Sequence, residues 1–586
     1  MDAVAYTIDL ADSSARHAHL YSVEARFSAG GDFVDLQLPV WTPGSYLIRE
    51  YPRHVQELSC TDGDGRPLAV TKVDKATWRV DARAVDRIVA RYRVYAWDLT
   101  VRAAHLDDTH GFFNGACVFL YHEGLRARAA QVKVVAPPGW QATVALPHVD
   151  PADPFTFVAQ SYDELVDSPF FVGTHELLEF TAQSRPHRLA IWGKVETPRQ
   201  TLTSDITRII DAAQAVFGGE LPYSDYTFLL LVAPNGYGGL EHARSATLLT
   251  SPFTFHPRKK YEEFLELVSH EFFHLWNVKR IHPQALGPFD YQKEAYTRSL
   301  WVMEGVTSYY DRHLLVRAGL QPPERYLEKL GEELTKIAAQ PGRFRQSLEE
   351  SSFDAWIKLY RPDENSPNST ISYYLKGAVV ALLCDLEIRS RTRGERSLDD
   401  VMRLLWKRHG APGIGFHDAD AQKLFEEGSG LELGAFFDRF VRGRDELDAQ
   451  PLLRTVGLTV RPSDEDEEVR GAWLGCNLKD HGGAVLVQSA LEGGPAVAAG
   501  LYAHDEIVAL DHFRVDLAGL KERLAARKPG DTVRLTLFRR DELRTVEVIL
   551  AEKPPEKLEV APVSDPTEAE KAAYQAWLGQ PFPAAE

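Results

Sequence analysis

His270-Glu271-Phe272-Phe273-His274 sets two imidazoles four residues apart, with a carboxylate beside the first. Within an apolar segment of helical spacing, residues four apart share a face. Both rings can therefore address one metal ion while Glu271 faces the water bound to it. That is the layout of a zinc hydrolase. By chance alone an H-E-x-x-H occurs in a chain of this length with odds of about 1 in 25, so the motif needs supporting residues elsewhere.

A catalytic zinc takes three protein ligands and keeps one position open for water. Glu304, in Trp301-Val302-Met303-Glu304-Gly305, is a carboxylate in an otherwise apolar stretch of the next predicted helix. Burying it unpaired would be costly, and ligation removes that cost. His282 and His313 are alternative third ligands, although neither sits on a face set by the H-E-x-x-H helix. Glu271 is then left to take a proton from zinc-bound water and pass it to the leaving amine. Ligand type does not by itself select zinc over cobalt or manganese.

The elements that must hold these groups follow from the hydrophobic periodicity. With 586 residues the chain is too long for one core, and several domains are expected. Residues 1–180 read as an all-β domain; Val34, Leu36, Leu38 and Val40 alternate with polar neighbours in the period of a half-buried strand. Residues 181–455 form a mostly helical catalytic region, with helices predicted near 204–217, 260–277, 296–317, 323–338, 372–390 and 398–409. Strands at Tyr226 to Ala233 and Ala243 to Thr250 flank the Gly-rich turn Asn235-Gly236-Tyr237-Gly238-Gly239. Residues 456–553 form a compact β-rich module, set off by an acidic run through Asp464-Glu465-Asp466-Glu467-Glu468 that reads as a solvated loop. Residues 554–586 form a tail with one helix, capped by Asp565, ended by Gly579 and docked through Tyr574 and Trp577. The fold class is multidomain α+β.

A formal charge of −18 argues against nucleic acid or an anionic membrane as the main partner. Cys60, Cys117, Cys384 and Cys476 lack C-x-x-C spacing, which points to reduced, mostly buried thiols. With no basic n-region and apolar core at the start, a cytoplasmic location is expected.

Three segments match a known pattern: the stretch from His270 to Pro283, H-E-F-F-H-L-W-N-V-K-R-I-H-P; Trp301-x-x-Glu304-Gly305; and Gly238-Gly239-Leu240-Glu241-His242. With these the chain resembles the glycyl aminopeptidase family of gluzincin metallopeptidases, relatives of aminopeptidase N. The resemblance implies a thermolysin-like catalytic domain with a small sheet and one zinc ion per chain. His270, His274 and Glu304 would be its ligands and Glu271 the general base. It also implies that Glu241, beside Gly238 and Gly239 on an edge strand, holds the substrate's free α-amine. A carboxylate there pairs with an ammonium and fixes the scissile bond one residue away. Aminopeptidase N has Asn where this chain has His242.

Tyr374-Leu375-Lys376-Gly377 resembles the segment whose tyrosine hydrogen-bonds the tetrahedral oxyanion, and Tyr373 stands beside it as the alternative donor. Pro39-Val40-Trp41-Thr42-Pro43-Gly44-Ser45-Tyr46 with Arg49 resembles the family's N-terminal signature and reads as a structural turn. The module from Trp473-Leu474-Gly475 to Asp505-Glu506-Ile507 resembles a PDZ domain. It would accept a C-terminal peptide by strand addition, or serve only structure.

The leading reading is a zinc aminopeptidase acting on peptides with a free N-terminus, with a family-implied preference for small first residues such as Gly or Ala. An endopeptidase, in which Glu241 only lines the cleft, is the second. A non-catalytic, chaperone-like peptide-binding protein working through the PDZ module is the third.

Overall fold

A computed structural model describes residues 4–463, 471–554 and 557–583; the acidic run at 464–468 and Pro555 lie outside the described residues. The chain divides into two compact units, Met1–Tyr296 with Leu405–His417, and Thr297–Leu404 with Asp418–Glu586.

The first unit begins with strands of period-two burial, as in Leu20–Ser28 and Arg87–Tyr95, where one face is buried and the other wet. They join a seven-stranded sheet, ordered Thr156–Ala159, Ala130–Val135, Val4–Asp9, Leu20–Ser28, Arg87–Tyr95, Val55–Asp62 and Pro67–Leu68. The expected strand at Val34 to Val40 is present as Phe33–Gln37, in a separate three-stranded sheet. One apolar core runs beneath, including Tyr6, Val23, Phe27, Leu36, Tyr92 and Phe113.

A five-stranded sheet follows, ordered Glu176–Ala182, Arg185–Trp192, Tyr226–Val232, Ser245–Thr250 and Gly238–Glu241. Every residue of Tyr226–Val232 is buried, as expected of a strand covered on both faces. Gly238–Glu241 is the edge strand and runs antiparallel to Ser245–Thr250, with Glu241 opposite Ala246. The helices Arg199–Phe217 and Arg258–Phe273 pack together, and the second also lies against the edge strand.

The second unit is mainly helical up to residue 454. It contains Val306–Arg317, Pro323–Ala338 and Leu375–Arg391, and the capping box of Ser347 and Glu350 starts Leu348–Phe353. A six-stranded sheet follows, ordered Cys476–His481, Ala484–Ala490, Glu506–Leu510, Thr532–Arg539 and Glu542–Ile549, with the short Phe513–Arg514 paired to Glu506–Leu510, and with helices Pro495–Ala499 and Leu517–Ala525. Asp516 caps the latter by accepting from the Gly519 amide. The tail helix runs over Glu568–Leu578, and its cap is Thr567, in a capping box with Glu570, not Asp565. A box satisfies two orphan donors where a lone carboxylate satisfies one, so it displaces the start by two residues. Gly579 ends the helix in the left-handed conformation, and Tyr574 and Trp577 are buried as expected. Among the described residues no helix is long and apolar enough to cross a membrane. Cys60, Cys117 and Cys384 are buried free thiols, and Cys476 is a half-buried one.

Candidate active site

In the first unit, the H-E-x-x-H helix is anchored by the two residues between its polar ones. Phe272 packs edge-on against Tyr226 of the central strand, and Phe273 meets Phe217 of the neighbouring helix. That turns His270, Glu271 and His274 away from the apolar layer. The regular helix ends at Phe273, so His274 is its C-cap, still in right-handed helical conformation. The two imidazoles keep a centroid separation of 4.6 Å, nearly perpendicular. His274 Nδ1 lies 2.7 Å from the Asn277 carbonyl. Only a protonated Nδ1 can donate to it, which leaves the Nε2 lone pair for a metal and fixes the ring's orientation.

Glu241 comes from the edge strand to the same place. One ligand atom each from Glu241, Glu271 and His274 fall within 4.8 Å of one another, and all three residues are buried. Two glycines permit this crowding. A Cβ on Gly239 would stand 2.0 Å from Glu271 Oε1. One on Gly44, whose φ is +83°, would stand 2.6 Å from both carboxylate oxygens of Glu241. Pro43-Gly44-Ser45, read from sequence as a structural turn, therefore lies against the predicted amine anchor.

Two residues that sequence reading missed hold the edge strand. Arg102 Nη2 donates to the Gly239 carbonyl at 3.2 Å. Asp167 accepts from the Ala243 amide at 2.8 Å and from Lys279 Nζ at 2.6 Å, with His242 Nδ1 at 3.3 Å. Burial alone would raise the Asp167 carboxyl, but Lys279 and His242 outweigh it and hold the group at about 2. Successive strand residues face opposite ways, so His242 points away from Glu241 and serves this latch. Arg280 extends it by donating to the Ala243 carbonyl at 3.2 Å. The Lys-Arg pair that follows the histidines thus fastens the end of the strand carrying Glu241. Nothing in the sequence around Arg102 or Asp167 marks them, since their partners lie 137 and 112 positions away.

In the second unit, Glu304 is buried in the π-helical turn Trp301–Gly305, which leads directly into Val306–Arg317. The expected continuous helix is thus widened by a residue at Glu304, a distortion frequent at functional positions. Trp301 packs on Phe425 and Phe437, and its amide donates to Ser352 Oγ at 3.0 Å. The turn touches the helix Leu375–Arg391 backbone to backbone: a Cβ on Gly305 would lie 2.7 Å from the Gly377 Cα. Tyr374, at the start of that helix, has its hydroxyl 3.0 Å from that of Tyr360. Burial and then the nearby Glu304 charge push its phenol well above the ordinary range, which keeps it a donor at neutral pH. Tyr373 is fully buried and stacked on Tyr374, at 4.7 Å between centroids.

Neither alternative ligand is placed with these groups. His282, in the first unit, has Nδ1 3.0 Å from the Pro283 carbonyl. His313, in the second, has Nε2 2.9 Å from the Trp577 carbonyl and stacks on Trp577 and Tyr309, so it belongs to the docking of the tail helix.

A cavity of about 1150 Å³ is lined by Cys476, Asn477, Leu478, Lys521, Glu522 and Leu524 of the β-rich module and by Pro362, Asp363 and Pro367.

Residues 5–174 match the model of the Peptidase M61 N-terminal domain, 263–380 that of the M61 glycyl aminopeptidase, and 472–550 that of the PDZ domain. Among solved structures, an aminopeptidase N family protein from Idiomarina loihiensis is 34% identical with a TM-score of 0.91, over 98% of this chain and 100% of that one. An M1 zinc metallopeptidase from Deinococcus radiodurans is 12% identical, with a TM-score of 0.49 over 76% of this chain and 95% of that one. Yeast LTA4 hydrolase in complex with bestatin is 13% identical, with a TM-score of 0.45 over 74% and 65%. The comparison with curated proteins found no match. The matched domains define a peptidase that carries a PDZ domain. The chain belongs to the M61 glycyl aminopeptidase family.

Proposed function

We propose that this protein is an aminopeptidase that removes small N-terminal residues, working with one catalytic zinc held by His270, His274 and Glu304. Two imidazoles and a carboxylate are a donor set suited to catalytic zinc. His274 supports the fit, because the Asn277 carbonyl fixes the tautomer that a metal requires. When bound, the zinc supplies Lewis acidity toward a carbonyl and lowers the pKa of water.

The observation that carries the aminopeptidase reading is the approach of Glu241 to Glu271 and His274 within 4.8 Å. An ammonium paired with Glu241 places the first peptide carbonyl near the hydrolytic carboxylate. Glu271 takes the proton of the attacking water and returns it to the departing amine. Tyr374 donates to the developing oxyanion. The Gly44 backbone against Glu241 supports a small first residue, since it closes the space around the amine.

The test compares a glycyl or alanyl amide with its N-acetylated form. The free amine should be cleaved and the acetylated one lose nearly all rate; equal rates would establish the endopeptidase reading. Glu271→Gln should abolish turnover while the bound metal stays, and retained turnover would remove Glu271 from the reaction. The groove of the PDZ domain is proposed to take a C-terminal peptide by strand addition along Cys476–His481.

A further inference from the structure

Far along the chain from the H-E-x-x-H motif, the first unit holds a second cluster of ligand-type side chains. His105 is on the strand Ala104–Leu106 and His110 on the strand His110–Phe113; the two strands form a hairpin whose connection contains Asp107. One atom from each of the three residues falls within 4.8 Å of the others. His105 Nε2 is 3.2 Å from Asp107 Oδ2, and His110 Nδ1 is 3.4 Å from Asp107 Oδ1. Both contacts turn one ring nitrogen toward Asp107, through different oxygens of its carboxylate, and they hold the three side chains together.

The cluster is held as a ligand set is held. Asp107 Oδ1 accepts from the Thr109 amide at 2.7 Å, from Thr109 Oγ1 at 2.7 Å and from the His110 amide at 3.0 Å. The turn thus fixes the carboxylate and leaves Oδ2 toward His105. The rings are fixed by stacking in a pile of four. Trp97 lies 4.9 Å from His105, His105 lies 4.9 Å from His110, and His110 lies 4.0 Å from Trp192, all within 32° of parallel. Thr109 Oγ1, 3.0 Å from His110 Nδ1, also accepts from Trp192 Nε1 at 3.2 Å, which joins the hairpin to the five-stranded sheet. His105 and His110 are buried, and the Asp107 side chain is 27% exposed, so an ion has an approach from solvent on one side. Among the described residues, His105 Nδ1 and His110 Nε2 are buried without a hydrogen-bond partner. A purely structural hydrogen-bond network would be expected to satisfy them.

We propose that His105, Asp107 and His110 form a second metal site, for a divalent transition ion of the zinc class, that clamps the two strands of this hairpin together. Two imidazoles and one carboxylate favour such an ion over magnesium or calcium, which take oxygen ligands. The site uses no residue assigned to peptide cleavage.

The test uses the full chain with His270→Ala and His274→Ala, which removes two ligands of the proposed catalytic zinc. Titrated with Zn²⁺ against a chromophoric chelator, it should still bind about one ion per chain, and zinc should raise its thermal midpoint. Adding Asp107→Asn, which keeps a carbonyl oxygen for the turn, or separately His110→Ala, should weaken that binding at least about 100-fold and abolish the thermal shift, with circular dichroism unchanged. Cobalt(II) should give the visible absorption of a tetrahedral site in the first protein and lose it in the others. No zinc uptake by the His270→Ala/His274→Ala protein, or equal uptake after Asp107→Asn and after His110→Ala, would overturn the assignment.

Discussion

At the scale of single residues, close packing brings the polar groups of the first unit together. With no side chain of its own, Gly239 lets the edge strand lie on the Glu271 carboxylate. In Gly239→Ala the new methyl, 2.0 Å from Glu271 Oε1, must push strand and carboxylate apart by about an ångström. The expected result is a loss of about 100-fold in kcat/KM with metal content unchanged; wild-type kinetics would show that the contact is not maintained in solution. Lys376 is a different case. It is 1% exposed, its Nζ has no hydrogen-bond partner among the described residues, and burial lowers its pKa to about 8 despite Glu446 and Asp445. A folded pKa below the unfolded one means that the folded state resists the proton. The penalty is complete below pH 8 and disappears as pH rises toward the unfolded value of 10.5. Lys376→Met should therefore gain stability at pH 7, on the order of 3 kcal/mol, and no gain near pH 10.5, read as thermal midpoints of the two proteins at each pH.

The chemical types at the site were legible in the sequence, because H-E-x-x-H, the Glu304 segment and the Gly-Gly-x-Glu strand are contiguous and each sits at a fixed element position. Gly44, Arg102 and Asp167 were not. Each acts through a partner more than 100 positions away, and local periodicity carries no information about such pairs.

At the scale of elements, helix interiors followed their apolar period closely, while their ends and irregularities did not. The tail cap moved from Asp565 to Thr567, and the helix expected through Glu304 contains a π-turn. A widened turn leaves no mark on the apolar period here, since every residue of Trp301–Gly305 is buried and no polar face registers the shift. The Gly305–Gly377 contact lets this turn approach the helix that follows Tyr374. Gly305→Ala places a methyl 2.7 Å from the Gly377 Cα, backbone that cannot rotate aside. The expected outcome is a loss of one to three kcal/mol, typical of overpacking, together with a fall in kcat larger than the rise in KM. A lower thermal midpoint with unchanged kcat would separate the crossing from catalysis.

At the scale of the molecule, the second unit ties the tail to the helix that continues from Glu304. Trp577 is buried against Tyr326 and stacks on His313, and its Nε1 donates to Tyr309 Oη at 3.1 Å. Tyr309 and His313 both lie on Val306–Arg317. Trp577→Ala should cost about 3–5 kcal/mol by cavity formation and lower activity although no residue assigned to chemistry changes. Denaturation monitored with and without the substitution reads the first effect, and turnover at a temperature where both are folded reads the second. Full activity at that temperature would confine the tail to stability.

Before the PDZ domain runs the strand Leu458–Pro462, and after it the strand Leu558–Pro562; the two pair antiparallel, Leu458 opposite Pro562 and Pro462 opposite Leu558. The later strand also packs on Pro323–Ala338, where the Leu558 amide donates to Thr335 Oγ1 at 2.8 Å. The whole PDZ domain is therefore spliced into the tip of a hairpin whose stem belongs to the helical part. Its entry and exit are adjacent, and the stem's hydrogen bonds do not depend on what it carries. Such a junction makes the PDZ module an exchangeable cassette: a short turn or a different domain could replace it without rethreading the chain, so the module and the peptidase are free to diverge at different rates.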